Sequence, residues 1–215
     1  AVLEEGDTTL YIDPYYTTYP GTIRAVGGVP VAIEARSEDG FQPRAEAIDA
    51  AAKATGAKSL LINSPNNPTG AVYSEASLRA VNALCAQHGL YHFSDEAYEY
   101  FTYEGVKHFS PASIPGAMKH TLSFFSMSKN YGMASWRVGY VVFPANLFDA
   151  MNKVQDTNLI CAPMPSQLLA LEALKLGRNW VEPKVKALSE VRQTVYKALE
   201  GLGELVQFPQ TQGAF

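Results

Sequence analysis

One lysine and its neighbours carry the first chemical signal. Ser126, Ser128, Lys129 and Arg137 stand in a polar loop between two short apolar runs, residues 122–125 and 138–143. Each run has the length of a buried strand. A lysine at the end of a buried strand suits Schiff-base chemistry. Partial desolvation and a nearby cation lower its pKa, and the free amine is the nucleophile. Arginine and hydroxyls beside it suit a phosphate, which a guanidinium binds through a fork of donors. Amine and phosphate site in one loop point to pyridoxal phosphate. For an isolated S-x-S-K, a solvated lysine and arginine in an ordinary loop is the simpler reading, so the rest of the chain must decide.

The elements around that loop supply more polar groups. Strands are predicted over residues 8–12, 29–35, 59–63 and 90–94. Helices are predicted over 22–26, over 43–55 with Pro43 in the first turn, and over 75–88 with Ser74 as cap. Gly56 and Gly89 end the last two. This alternation argues an α/β fold with a largely parallel sheet and right-handed crossovers. Ligands in such sheets sit beyond the carboxyl ends of the strands. Asn67 follows one strand, Asp95 the next and Lys129 another. Each alone reads as a turn former or cap, but three such groups from three distant segments converge on one edge. Tyr15, Tyr16 and Tyr19 follow the first strand, after an Asp13–Pro14 turn open to cis geometry. They could offer a flat face to a cofactor ring or simply pack in the core or rim.

The remainder is read as mostly helical. Residues 146–177 are broken by Pro163 and Pro165, with Ser166 capping 167–176. Residues 180–202 form a long helix whose stripe of Val185, Leu188, Val191, Val195 and Leu199 packs on its own protein rather than on a coiled-coil partner. Residues 205–208 begin a strand and 210–213 form a turn. A boundary falls near Gly177.

Composition narrows the class. The chain has 215 residues, 47% hydrophobic and 18% charged, which is ordinary globular composition with length for a large core. Net charge is −4 and no Lys/Arg run occurs, so neither nucleic acid nor an acidic membrane surface is the expected partner. Cys85 and Cys161 stand far apart, which fits a reducing, cytoplasmic compartment better than a disulfide scaffold. No membrane span or signal peptide is read. The sequence lacks an initiator Met and ends on Gly213-Ala214-Phe215, which reads as a piece of a longer protein or only its ordered part.

Four motifs now align. Asn63-Ser-Pro-Asn-Asn-Pro-Thr-Gly70, Ser94-Asp-Glu-Ala-Tyr98, Ser126-Met-Ser-Lys129 and Trp136-Arg-Val-Gly-Tyr140 resemble the class I/II aminotransferases in order and spacing over nearly the whole chain. These are pyridoxal-phosphate enzymes of fold type I, related to aspartate aminotransferase. The resemblance implies a three-layer α/β/α large domain with a mostly parallel sheet over residues 1–178, lacking its N-terminal part. Residues 179–215 would be the connecting helix and the start of a small C-terminal α/β domain. It implies transfer of an amino group between an α-amino acid and a 2-oxo acid, in a homodimer, with no metal. Lys129 matches the Schiff-base lysine, which also moves the α-proton. Asp95 matches the carboxylate beneath the pyridine nitrogen. Tyr98 and Asn67 match donors to the phenolic oxygen, and Tyr16 the residue stacked on the ring. Arg137 and Ser126 match phosphate ligands, with Ser128 a third. The family also places cis bonds at Asp13–Pro14 and Asn67–Pro68.

Departures accompany the match. The family's glycine-rich phosphate-binding helix start would precede Ala1, as would residues contributed across the dimer. The arginine that clamps the substrate carboxylate would lie beyond Phe215. No arginine occurs in residues 158–165, where dicarboxylate-specific members carry one, which disfavours aspartate or glutamate as donor. Ser135 stands where Gly or Thr is common. Two other functions fit the same motifs: a C–S β-lyase, and an effector-sensing domain of a transcription regulator. Ammonia and pyruvate released without a 2-oxo acid would mark the lyase, and an upstream winged helix the regulator.

Overall fold

The computed structural model describes residues 1–214. Six strands form one sheet in the order β2-β1-β3-β4-β5-β6. They are β1 (Thr8–Asp13), β2 (Val29–Glu34), β3 (Ser59–Asn63), β4 (Tyr91–Asp95), β5 (Thr121–Ser126) and β6 (Gly139–Val142). Neighbours pair in parallel through β5, and β6 closes the edge antiparallel to β5. The mostly parallel α/β fold expected from the sequence is the fold observed.

Side-chain alternation explains how the sheet is buried. Leu10, Ile12, Ile33, Leu60 and Ile62 share one face. They pack against Ile48 and Ala52 of α2 (Ala45–Thr55) and Leu78, Val81 and Cys85 of α3 (Glu75–His88). The Ser74 side chain accepts from the Ser77 amide at the start of α3, and Gly89 leaves it in the left-handed conformation. The opposite face carries α1 (Tyr19–Ala25), whose Thr22 and Ile23 stand over Leu61 and Phe93. By the same alternation Asn63 and Asp95, register partners at the ends of β3 and β4, belong to the α1 face. A second apolar cluster contains Met127 of α4 (Met127–Asn130), Ala170 of α6 (Met164–Leu176) and Val181 and Val185 of α7 (Arg178–Glu200). It braces the turn that carries Lys129. The remaining helix, α5 (Phe148–Asn158), lies between β6 and α6 in sequence.

Four expectations need correction. Helix α1 begins at Tyr19, because Pro20 suits its first turn. Helix α6 begins at Met164, so Pro165 lies in its first turn, where a missing N–H costs nothing. Ser166 is therefore buried within that turn and does not cap the helix. Residues 205–208 form no ladder: they begin in a 3₁₀ turn, Gly203–Leu205, and continue unpaired. The 210–213 segment instead docks on the 66–70 turn. Thr211 Oγ1 donates to the Thr69 carbonyl at 2.8 Å and the Gly213 amide to the Gly70 carbonyl at 2.7 Å. A Cβ on Gly213 would run into that Gly70 carbonyl. Finally, the middle of the α7 stripe is open: Val185 is buried and Leu199 half-buried, whereas Leu188, Val191 and Val195 are exposed. Among the described residues no helix is long and apolar enough to cross a membrane.

Candidate active site

The carboxyl ends of β1, β3, β4 and β5 open on one cavity of about 200 Å³. Tyr16, Asn63, Asn67, Asp95, Ala97, Tyr98 and Lys129 line it. Five residues selected from the sequence thus meet there: Tyr16, Asn67, Asp95, Tyr98 and Lys129. The Lys129 amine lies 5.8 Å from the centre of the Tyr98 ring. Ser126 and Ser128 stand outside that lining, at the start of the turn that carries Lys129, and Arg137 stands outside it just before β6. The Ser126 hydroxyl accepts from the Ser128 amide at 3.2 Å, which starts α4 and leaves its own proton free to donate.

Arg137 reaches that turn through the β5–β6 pairing. Gly139 is opposite Ser126, and the Met127 amide bonds the Val138 carbonyl. A Cβ at Gly139 would sit 2.5 Å from the Phe125 carbonyl oxygen, so this crossing needs glycine. Arg137 itself has φ +50°, a left-handed conformation uncommon outside glycine, and its Nη1 donates to the Ala134 carbonyl at 2.8 Å.

Asparagine side chains replace backbone partners in the proline-rich turn after β3. Asn63 Oδ1 accepts from the Asn67 amide at 2.7 Å, and Asn63 Nδ2 donates to the Asp95 carbonyl at 3.0 Å. Asn66 accepts from the Thr69 amide and hydroxyl and donates to the Pro14 carbonyl. The bonds preceding Pro14, Pro65 and Pro68 are cis, two of them the expected pair. In the sequence Asn63 and Asn66 stood out only as members of the Asn63–Gly70 motif, with no role of their own.

Asp95 is the electrostatic centre. Burial pushes its carboxyl above the usual range, the neighbouring Glu96 adds to this, and hydrogen bonds from Tyr19 and the Ala97 amide oppose it. Glu96 is wholly buried, yet His108 Nε2 at 2.7 Å and the Ser110 hydroxyl at 2.9 Å satisfy both its oxygens. Glu99 links this turn to the lysine turn, accepting from Asn130 Nδ2 at 3.2 Å. Burial pushes the Glu99 carboxyl up to about 7, with His108 drawing it down. The contacts with Tyr19, His108, Ser110 and Asn130 had no sequence signal, because each of these partners is brought in from a different segment.

The donor set fits pyridoxal phosphate. A half-buried carboxylate, a phenol, an amide and an amine surround one cavity, with an aromatic face on its wall, two hydroxyls in the turn that carries the lysine and an arginine just before β6. A parallel sheet with such a cavity at its carboxyl ends defines an α/β small-molecule-binding domain. The chain matches the family model for aminotransferase class I and II over residues 1–215 and belongs to that family. It is 38% identical to a probable aspartate/prephenate aminotransferase of Aquifex aeolicus, covering all of this chain and 55% of that protein. Among solved structures it resembles the aspartate aminotransferase of Thermus thermophilus with maleate, at 36% identity and TM-score 0.93, over 100% of this chain and 55% of that one. It also resembles an aromatic aminotransferase of Pyrococcus horikoshii, at 33% identity and TM-score 0.91, over 99% and 57%. The chain thus spans about half the length of the relatives it matches.

Proposed function

We propose that the protein is a pyridoxal-phosphate-dependent aminotransferase that moves an amino group between an α-amino acid and a 2-oxo acid. The observation that carries this is the single cavity lined by Tyr16, Asn67, Asp95, Tyr98 and Lys129. When bound, the cofactor supplies an aldehyde that takes up the amino group and a ring that draws electrons from the substrate α-carbon. Asp95, as carboxylate, keeps a proton on the ring nitrogen. Tyr98 and Asn67 donate to the phenolic oxygen. Tyr16 gives the ring a flat neighbour. Ser126, Ser128 and Arg137 hold the phosphate, Arg137 as the charged member. Lys129 would hold the cofactor through its amine, and the same amine would move the proton at the substrate α-carbon.

We assign residues 1–178 to the cofactor-binding domain and 179–215 to the helix and first segment of the next. We also read the protein as a cytoplasmic homodimer. In support of the dimer, α6 is apolar on most faces, yet Leu168, Leu169, Leu171 and Leu174 are exposed, as are Leu159 and Ile160 just before it. A helix apolar all round belongs in an interior or an interface.

The relatives' names divide between aspartate, prephenate and aromatic substrates. They weigh against taking the lack of arginine in residues 158–165 to exclude an acidic donor. Single-turnover absorption spectra of the cofactor-loaded protein decide the donor. Aspartate, glutamate, phenylalanine, tyrosine and a cysteine conjugate form the panel. A true donor converts the cofactor to its amine form without releasing ammonia. Release of ammonia and pyruvate from the cysteine conjugate, with no response to the others, would replace this reading with the lyase.

A further inference from the structure

Tyr19 is the first residue of α1, and its side chain crosses to the site. Its hydroxyl donates to Asp95 Oδ2 at 2.6 Å, across 76 residues of sequence. The other carboxylate oxygen, Oδ1, accepts from the Ala97 amide at 3.1 Å. The Asp95 carboxylate is therefore held by one donor from its own turn and one from a helix packed over the sheet. The Tyr19 ring meets the Tyr16 ring edge-on, with centroids 5.7 Å apart. Behind it, Thr22, Ile23, Leu61 and Phe93 line an apolar cavity of about 150 Å³. The ring thus has apolar surroundings while its hydroxyl points to a half-buried carboxylate.

We propose, resting on the cofactor reading above, that Tyr19 is a positioning residue: its hydroxyl orients the Asp95 carboxylate and its ring braces Tyr16. One side chain would then set both the group facing the ring nitrogen and the aromatic face beside the ring. The charge on Asp95 has few other supports. Burial and Glu96 both disfavour it, and the Tyr19 bond is the first of the two contacts that favour it. Tyr16, Tyr98 and Lys129 share the cavity with it. A hydrogen bond to a charged group is among the stronger ones, because the donor replaces water the carboxylate has lost.

The test uses the full-length protein as wild type, Tyr19→Phe, Asp95→Asn and the double variant. Tyr19→Phe keeps the ring and removes only the donor. Two readouts are taken: pyridoxal-phosphate affinity, and the titration of Asp95 in cofactor-free protein by carboxyl carbon NMR, assigned through Asp95→Asn. We expect Tyr19→Phe to bind pyridoxal phosphate about tenfold more weakly and to titrate Asp95 roughly one pH unit higher. In the Asp95→Asn background the same change should cost less than about threefold, because the coupled partner is gone. Wild-type affinity and midpoint in Tyr19→Phe would overturn the proposal. So would a tenfold loss that persists in the Asp95→Asn background, since that marks packing alone. A wild-type protein that binds no pyridoxal phosphate would overturn the cofactor reading and this inference with it.

Discussion

Asp95 can serve a protonated ring nitrogen only if its charge survives burial, and the contacts that preserve it are the Ala97 amide of its own turn and the Tyr19 hydroxyl from α1. Lys129, Asp95, Asn67, Tyr98 and Tyr16 were legible in the sequence because each sits in a motif or turn with a recognisable spacing. Tyr19 was read only as a possible ring face, and Asn63 and Glu96 only as members of motifs; their contacts were not legible, because they depend on partners that only the tertiary fold delivers. Two predictions belong at this scale. Arg137→Ala removes a charge-assisted donor from a dianion and should weaken pyridoxal-phosphate binding by about 10- to 100-fold, well beyond Ser128→Ala, as measured by equilibrium titration. Wild-type affinity in Arg137→Ala would remove Arg137 from the phosphate site. The second concerns Glu99. Burial pushes its carboxyl up to about 7 in the folded chain, from 4.5 ordinarily. Between those values the folded state binds more protons than the unfolded one. Its contribution to stability is therefore largest at low pH and falls as pH rises from about 4.5 to about 7. Glu99→Gln keeps the acceptor for Asn130 and abolishes the titration. Its thermal midpoint should exceed that of wild type by a few degrees more at pH 8 than at pH 5. An equal difference at both pH values would contradict this account.

Elements with a mechanism in the sequence were read well. Ser74 and Gly89 bounded α3, and the β3 and β4 runs fell within a residue of their predicted limits, because capping and burial act locally. The failures share a cause in tertiary context. Residues 205–208 have strand-like composition but no neighbouring strand, and their successors bind the 66–70 turn instead. Pro165 looked like a breaker because its position relative to the helix start could not be known. The sharpest element-scale prediction lies at the β5–β6 crossing. Gly139→Ala should destabilise the fold by about 2–4 kcal/mol, since the new methyl group meets backbone that cannot move aside. It should also weaken cofactor binding, because Arg137 and Ser126 depend on that pairing. Denaturant midpoints and cofactor titration check both effects, and a variant of wild-type stability would show that β6 can shift freely.

At the scale of the whole molecule, the sheet gathers residues far apart in sequence, while apolar surface on α6 and α7 stays open. The sequence pattern foretold that α7 has an apolar stripe but not that its middle stays open, since period shows a face and not what lies against it. If the full-length protein pairs through α6, Leu171→Glu should shift it toward monomer by at least tenfold in dissociation constant, read by sedimentation equilibrium. An unchanged constant would take α6 out of the interface.

We propose Lys129 as the lysine through which this fold holds its cofactor. Borohydride reduction of the native protein loaded with pyridoxal phosphate fixes the cofactor to whichever lysine holds it, and peptide mapping reads the position. The account predicts the label on Lys129, with Lys129→Ala losing the label and transamination by several orders of magnitude while still binding pyridoxal phosphate noncovalently. A label on Lys119 or Lys153, or full activity in Lys129→Ala, would contradict it.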